Sequence, residues 1–380
     1  MASTVTWDGL RDLAGFRAQN GCAISLYLDL DPSATPTAAD LTTRVNALID
    51  EIERSEAARR PELDHEQKEG LRSDVQRLRS FFEQDFDRDG ARGLAVFCAS
   101  LDNLWQPLPL SSRVPDVVKV GNALSLAPLV SLVGRGEGAL VVFVGRERGD
   151  LFRLRGGKLE ELVDQFDDAP GRHDQGGWSQ ARFQRHIDKL VHDHLKEVAE
   201  LVDRQLRRLR GPRVIVVASE ETRAEFETAL SHEVKKAVIG WTTAEAHATA
   251  SELLGDVQPL LERWRGEQED KAVERWREEA GRNGRAASGW GPTLEAASDG
   301  RVELLLFQDG VERPAWECPA CGRVNADGGA CPLDGTAMEQ RRDGLDLAVR
   351  QTLAHGGTIW ALTQHQDLDP VEGIGALLRF

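Results

Sequence analysis

The chain has 380 residues, with 47 basic against 63 acidic side chains and a formal net charge of −16. That length exceeds one ordinary hydrophobic core, so two or three domains are expected. The acidic balance excludes a bulk-basic nucleic-acid binder, DNA included, and confines any RNA contact to a local patch. Five cysteines, three of them clustered, do not make a secreted disulfide scaffold. The first ten residues lack a basic-then-apolar signal pattern, and no uncharged apolar run is long enough to span a membrane. A soluble, cytoplasmic protein with no membrane partner is expected.

Residues 22–31 (CAISLYLDLD) alternate, with Ile24, Leu26, Leu28 and Leu30 on one face, which reads as a half-buried strand. Helical spacing follows at Leu41, Val45, Leu48, Ile49 and Ile52, and again at Leu71, Val75, Leu78, Phe81 and Phe82. A short apolar strand spans residues 93–98, and a polar–apolar stretch passes through Trp105, Leu108 and Leu110. Cys22 and Cys98 lie in apolar strand patterns and read as small core residues. This is an N-terminal α/β domain, residues 1–133, with no catalytic cluster visible in it.

The run Gly134-Arg135-Gly136-Glu137-Gly138 marks a boundary. Residues 139–145 read as a buried strand, and 150–155 and 159–166 as two more joined at Gly156-Gly157. A glycine-rich stretch and a long helix come next. The helix ends at Gly211-Pro212, residues 213–219 form a central strand, 220–230 a helix and 236–241 a further strand. Strands alternating with helices predict a mixed sheet with helices on its faces in a middle domain, residues 134–255. From 243 to about 282 the chain reads as charged helix with a break between Gly255 and Pro259. The C-terminal domain, residues 256–380, then reads as an α/β sandwich with strands at 301–307, 358–361 and 373–380 and helices at 293–297 and 343–354.

The middle domain holds His173-Asp174-Gln175-Gly176-Gly177-Trp178-Ser179-Gln180, which runs straight into the long helix. Paired glycines reach backbone angles closed to other residues. On the helix, Phe183, Ile187, Leu190, Val191, Val198, Leu201, Val202 and Leu209 fall on one face, and Arg182, Arg185, Lys189, His192 and Lys196 on another. The pattern describes a polar, glycine-tipped loop on a helix with a basic stripe. By themselves such features usually mean an ordinary loop and a solvated helix face.

Residues 316–338 form a cysteine-rich insertion. It contains Cys318-Pro319-Ala320-Cys321-Gly322 and Cys331-Pro332-Leu333-Asp334-Gly335. Cys-x-x-Cys-Gly places two thiolates on a tight turn, the form of a zinc knuckle. The second half repeats the spacing with Asp334 where a fourth cysteine would stand. Asp334 completes a tetrahedron of three thiolates and one carboxylate, or the site is degenerate and holds no metal. A bound zinc ion here is expected to be structural, with no open coordination position. A redox role fits less well, because that motif usually opens a helix after a strand.

Together these features resemble the archaeal and eukaryotic class-one release factors and their relative Pelota. Within that group the chain is similar to the bacterial release-factor-like proteins related to the Vms/Ankzf-type peptidyl-tRNA hydrolases. The shared features are a Gly-Gly loop with a nearby glutamine before a long basic helix, a zinc-knuckle insertion, and the ending Gly373-Ile374-Gly375-Ala376-Leu377-Leu378-Arg379-Phe380. The resemblance implies three domains, with a kink-turn-binding-protein-like fold in the third and a catalytic loop in the second. It implies catalytic roles for Gly176, Gly177 and Gln180, and RNA contacts from Arg182 and Arg185, with Trp178, Ser179 and Lys189 beside them. The implied partners are the large ribosomal subunit and peptidyl-tRNA.

The release-factor pattern has glutamine directly after the two glycines, whereas Trp178 and Ser179 intervene here. Three outcomes stay open: hydrolysis of the peptidyl ester by Gln180, clipping of the tRNA near its 3′ end, or ribosome binding without chemistry. The first domain contains no Asn-Ile-Lys-Ser-type stretch, so codon-dependent termination is not expected.

Overall fold

The computed structural model describes every residue except 1–6, 56–62, 89–90, 111, 134–137, 147, 156–157, 163–179, 210–211, 246 and 363–366, and does not describe the side chains of 133 and 180–188. The chain folds as two compact units. One joins Met1–Gly134 with Glu267–Phe380, and the other is Arg135–Gly266.

The first unit begins with α1 (Trp7–Gly15), β1 (Ala23–Asp29), α2 (Ala38–Arg54) and α3 (His65–Ser80), then β2 (Gly93–Ala99), β3 (Leu104–Leu110), β4 (Val117–Gly121) and α4 (Ala127–Val133). Thr37 and Asp64 start α2 and α3 with reciprocal capping boxes to Asp40 and Gln67, each of which satisfies two otherwise orphaned backbone N–H groups. The sheet order is β3-β2-β1-β4, antiparallel throughout. Ile24, Leu26 and Leu28 of β1 pack with Val45, Ile49, Ile52, Val75 and Leu78 of α2 and α3. The alternation predicts a half-buried strand, yet every residue of β1 is buried. The reason is a second cover on the opposite face, supplied by the C-terminal third of the chain. Cys98 is fully buried and Cys22 partly so.

The second unit holds β5 (Leu140–Val144), β6 (Gly149–Arg155), β7 (Lys158–Glu161), α5 (Gln180–Arg208), β8 (Val214–Val217), α6 (Glu220–Ala229), α7 (His232–Ala237), β9 (Val238–Thr242) and the start of α8 (Ala250–Gly281). Its sheet order is β7-β6-β5-β8-β9, parallel across β5-β8-β9 and antiparallel at β5-β6-β7. Both faces are covered. Val142, Val144, Val214 and Val216 pack against Leu195, Val198 and Val202 of α5, and Val141, Phe143, Ile215 and Val217 against Leu253, Val257 and Leu261 of α8. This is the expected mixed sheet with a long helix. Leu190 departs from its expected place, being 40% exposed, while Leu195 fills the buried face. The expected break between Gly255 and Pro259 does not occur: α8 is continuous, with Pro259 inside it. The part of the expected 159–166 strand beyond residue 162 lies outside the described residues.

The first unit is completed by β10 (Ala286–Ser288), α9 (Trp290–Ser298), β11 (Val302–Gln308), β12 (Ala315–Glu317), β13 (Val324–Asn325), β14 (Glu339–Arg341), α10 (Gly344–Ala354), β15 (Thr358–Leu362) and β16 (Ile374–Leu378). A four-stranded sheet runs β10-β16-β11-β15, and the cysteine-rich insertion makes its own small sheet, β13-β12-β14. Helix α9 starts earlier than the expected 293–297, at Trp290, with Pro292 in its first turn, where a missing N–H costs nothing.

The second cover on the N-terminal sheet is now explicit. Leu10, Tyr27, Phe97 and Leu126 share one core with Trp290, Leu294, Leu305 and Leu347. At its centre Asp346 of α10 is 2% exposed. Its carboxylate accepts hydrogen bonds from Ser125 Oγ at 2.6 Å and from the backbone N–H groups of Leu126 and Ala127 at 2.8 Å each. Ser125 is held in turn, donating its N–H to Ser25 Oγ at 3.0 Å and accepting from the Tyr27 hydroxyl at 2.5 Å. Burial pushes the Asp346 carboxyl upward, opposed by the Ser125 and Ala127 donors.

Asp346→Ala leaves three donors buried without an acceptor and is expected to cost about 3 kcal/mol of unfolding free energy. Chemical denaturation measures the loss, and faster amide exchange at Leu126 and Ala127 localises it. Unchanged stability contradicts the role given to this carboxylate.

Candidate metal centre

Strand β12 delivers Glu317 into the core and Cys318 directly after it. Two turns of the same construction follow. In the first, Gly322 N–H donates to Cys318 O at 2.9 Å and Cys318 N–H to Arg323 O at 2.8 Å. In the second, Gly335 N–H donates to Cys331 O at 2.9 Å and Cys331 N–H to Thr336 O at 2.7 Å. Gly322 and Gly335 both take positive φ, 76° and 75°, a conformation that a side chain would strain. Asp334 therefore occupies in the second turn the place that Cys321 occupies in the first.

The turns face each other. One donor atom from each of Cys318, Cys321, Cys331 and Asp334 lies within 4.8 Å of all the others. Cys321 Sγ and Cys331 Sγ are 3.6 Å apart, too far for a disulfide. Cys318 Sγ is 3.7 and 3.6 Å from the two Asp334 carboxylate oxygens. A tetrahedral ion about 2.3 Å from each sulfur sets sulfur–sulfur edges of about 3.8 Å, and slightly shorter edges to oxygen. The donor set fits such an ion. Cys318 and Cys331 are buried, whereas Cys321 and Asp334 are exposed.

The charge chemistry agrees. The backbone N–H of Cys321, ahead of that of Ala320, draws the Cys318 thiol below its usual range, against the effect of burial. The N–H and hydroxyl of Thr336 hold Asp334 down at about 2. Arg323 N–H favours the Cys321 thiolate, but desolvation and the neighbouring Cys331, Cys318 and Asp334 together push that thiol up to about 12. Four anionic donors this close repel one another, and a dication offsets the repulsion. Among the described residues, Met338 and Trp316 are the apolar side chains that pack with Cys318 and Cys331.

All four sequence-derived ligands are thus brought together. The other candidate residues are not. Gly176, Gly177, Trp178 and Ser179 lie outside the described residues. Gln180 opens α5, and its side chain and those of Arg182 and Arg185 are likewise outside them. Lys189 is exposed on α5, as are His192 and Lys196, so the described end of the basic stripe faces solvent. Lys196 reaches Glu200 at 4.0 Å. Sequence reasoning overlooked Glu317, which is 4% exposed and surrounded by arginines. A charged residue beside a ligand cysteine was its only signal.

A model of the bacterial archaeo-eukaryotic release factor family 10 matches residues 125–262, a span that contains the glycine-rich segment and α5. Peptide chain release factor subunit 1 of Archaeoglobus fulgidus is 26% identical over 298 residues, 72% of each chain. The same factor of Methanobrevibacter smithii is 28% identical over 211 residues, 53% of this chain and 51% of that one. These sequence matches mark the chain as similar to the archaeal peptide chain release factors. Among similar solved structures is an archaeal translation termination factor, aRF1, at 16% identity with 99% of both chains covered and a TM-score of 0.28. Another is a ribosome-bound archaeal Pelota with ABCE1, at 13% identity, 73% and 72% coverage and a TM-score of 0.42. The likeness to release factors rests on the sequence matches.

The purified chain is expected to carry about one metal ion, lost in Cys331→Ser and held more tightly in Asp334→Cys. Elemental analysis and chelator competition measure this. Acidification should release the ion as the thiolates protonate. Asp334 lies below its unfolded value, so its contribution persists above that value and disappears only as pH falls through about 2. Metal-free protein from metal-replete medium would contradict the assignment.

Proposed function

We propose that this release-factor-like protein is a codon-independent peptidyl-tRNA hydrolase of ribosome rescue, acting on large subunits that hold a stalled chain. The observation that carries the reading is the run Gly176-Gly177-Trp178-Ser179-Gln180 leading into α5, inside the span matched by the family model. Water attacks the ester carbonyl, the bond to the tRNA 3′ oxygen breaks, one water proton passes to that oxygen and the other is released to solvent. The products are a free peptide carboxylate and intact tRNA. In this reading Gly176 and Gly177 let the backbone enter a narrow RNA channel, and Gln180 orients the water and stabilises developing charge. Arg182, Arg185 and Lys189 grip phosphate near the acceptor end, and Trp178 stacks on a base with Ser179 beside it. The absence of a decoding-type stretch in residues 1–133 supports independence from the codon. Zinc is the ion proposed for Cys318, Cys321, Cys331 and Asp334, as a structural clip. A cytoplasmic setting follows, and no helix among the described residues is long and apolar enough to cross a membrane.

A second reading is favoured by one observation. Trp178 and Ser179 displace Gln180 by about 7 Å of extended chain from the place directly after the glycines. A loop so altered would clip the tRNA near its 3′ end or bind the ribosome without chemistry.

Gln180→Ala and Gly177→Ala are expected to slow peptide release on large subunits by about 10²-fold while co-sedimentation stays unchanged. Wild-type rates in both variants would sink the catalytic role of the loop and leave the binding reading. Binding should also weaken steeply between about 50 and 200 mM salt, as phosphate contacts do.

A further inference from the structure

Beside the metal centre lies a cluster of opposite sign. Glu317, at the end of β12, meets three arginines from three other segments. Arg17 follows α1, Arg341 ends β14 and Arg350 belongs to α10. Glu317 Oε1 is 3.6 Å from Arg17 Nη2 and 3.5 Å from Arg350 Nη2, and its Oε2 is 3.3 Å from Arg341 Nε. Arg341 also reaches Glu339 at 3.0 Å. Three guanidiniums therefore meet two carboxylates, and one carboxylate oxygen is shared by two of them at the outer limit of hydrogen bonding.

The Nη1 atoms of both Arg17 and Arg350 are buried and have no hydrogen-bond partner. The Arg350 side chain is 5% exposed, that of Arg341 16% and that of Arg17 31%. Arg350 is thus the most enclosed of the three arginines and Arg17 the most exposed. Buried cationic donors without acceptors are costly, and such orphans in folded proteins usually mark a water or an ion. A water satisfies a donor but leaves the excess charge. Burial, and then the neighbouring Arg350, lower the Arg17 guanidinium to about 10, with Glu317 opposing and Arg341 adding to the fall.

We propose that Arg17, Arg341 and Arg350 form a binding site for a phosphate-type oxyanion, in which Glu317 positions the three guanidiniums and the anion supplies the acceptors missing at Arg17 and Arg350. Guanidinium forks match tetrahedral oxyanions in geometry and remain charged at any working pH, which a lysine cluster would not match. The ligand is either free inorganic phosphate or a phosphodiester of an RNA backbone, since both present the same oxygens. The site is independent of the 176–180 loop, so its failure and that of the proposed hydrolase activity are separately visible.

The test is calorimetric titration of the full-length, metal-loaded chain with sodium phosphate at constant ionic strength. Wild type is expected to bind phosphate saturably. Arg17→Met and Arg350→Met should each weaken binding by about tenfold or more. Arg17→Met, at the more exposed position, keeps the test decisive if Arg350→Met does not fold. A short single-stranded RNA is then added as competitor. Displacement of phosphate identifies an RNA backbone as the source, and failure to displace identifies free phosphate. No saturable binding by wild type, or equal affinity in wild type and a folded variant, overturns the site.

Discussion

A carboxylate buried on α10, far along the chain from the strands it serves, sets the architecture of the first unit. Asp346 receives the Ser125 hydroxyl and two backbone N–H groups at the start of α4, and Ser125 is fixed in turn by Ser25 and Tyr27 of β1. A buried carboxylate is tolerable only when its oxygens are filled, and here they are. The network ties the N-terminal sheet to the C-terminal layer at the point where Tyr27, Phe97, Trp290 and Leu347 share a core. Neither segment could close that core alone. The residues between them, Arg135–Gly266, fold as a separate unit with their own two-faced sheet.

The cysteine-rich insertion depends on a different force. Three strands of two or three residues each bury little apolar surface, and an ion held by Cys318, Cys321, Cys331 and Asp334 would order them. Its anchoring strand places Cys318 in the centre and Glu317 among Arg17, Arg341 and Arg350. One short strand therefore presents, at neighbouring positions, a residue of the candidate ligand set and the carboxylate that gathers the guanidiniums. That juxtaposition lets a small insertion join the C-terminal layer to the segment before β1.

What was legible in the sequence was local. Cys318, Cys321, Cys331 and Asp334 could be chosen from spacing because two turns with identical glycines impose the geometry within a few residues. The middle sheet was legible because β5 and β8 are continuous apolar runs, buried on both faces. The full burial of β1 was not legible: Ser25, Tyr27 and Asp29 read as the solvent face, but Tyr27 packs in the core shared with residues beyond 280, Ser25 accepts from the Ser125 N–H and Asp29 from Arg113. The same distance hid Asp346 and Glu317, whose partners lie up to 300 positions away in the chain. Helix α8 misled because Gly255 and Pro259 usually interrupt helices, but Leu253, Val257 and Leu261 on the apolar face hold it together across them. Gly176, Gly177, Trp178 and Ser179 lie outside the described residues, so the loop is known through its sequence and the helix it enters.

The central proposal is that this release-factor-like chain cuts the ester of peptidyl-tRNA without a codon. The most direct measurement incubates the metal-loaded chain with large ribosomal subunits carrying labelled peptidyl-tRNA. The products are separated on a gel that resolves free peptide, intact tRNA and tRNA lacking its 3′ end. Free peptide with intact tRNA is the expected outcome. Peptide still joined to a short 3′ fragment, or no product from subunits that nevertheless bind the protein, would contradict it.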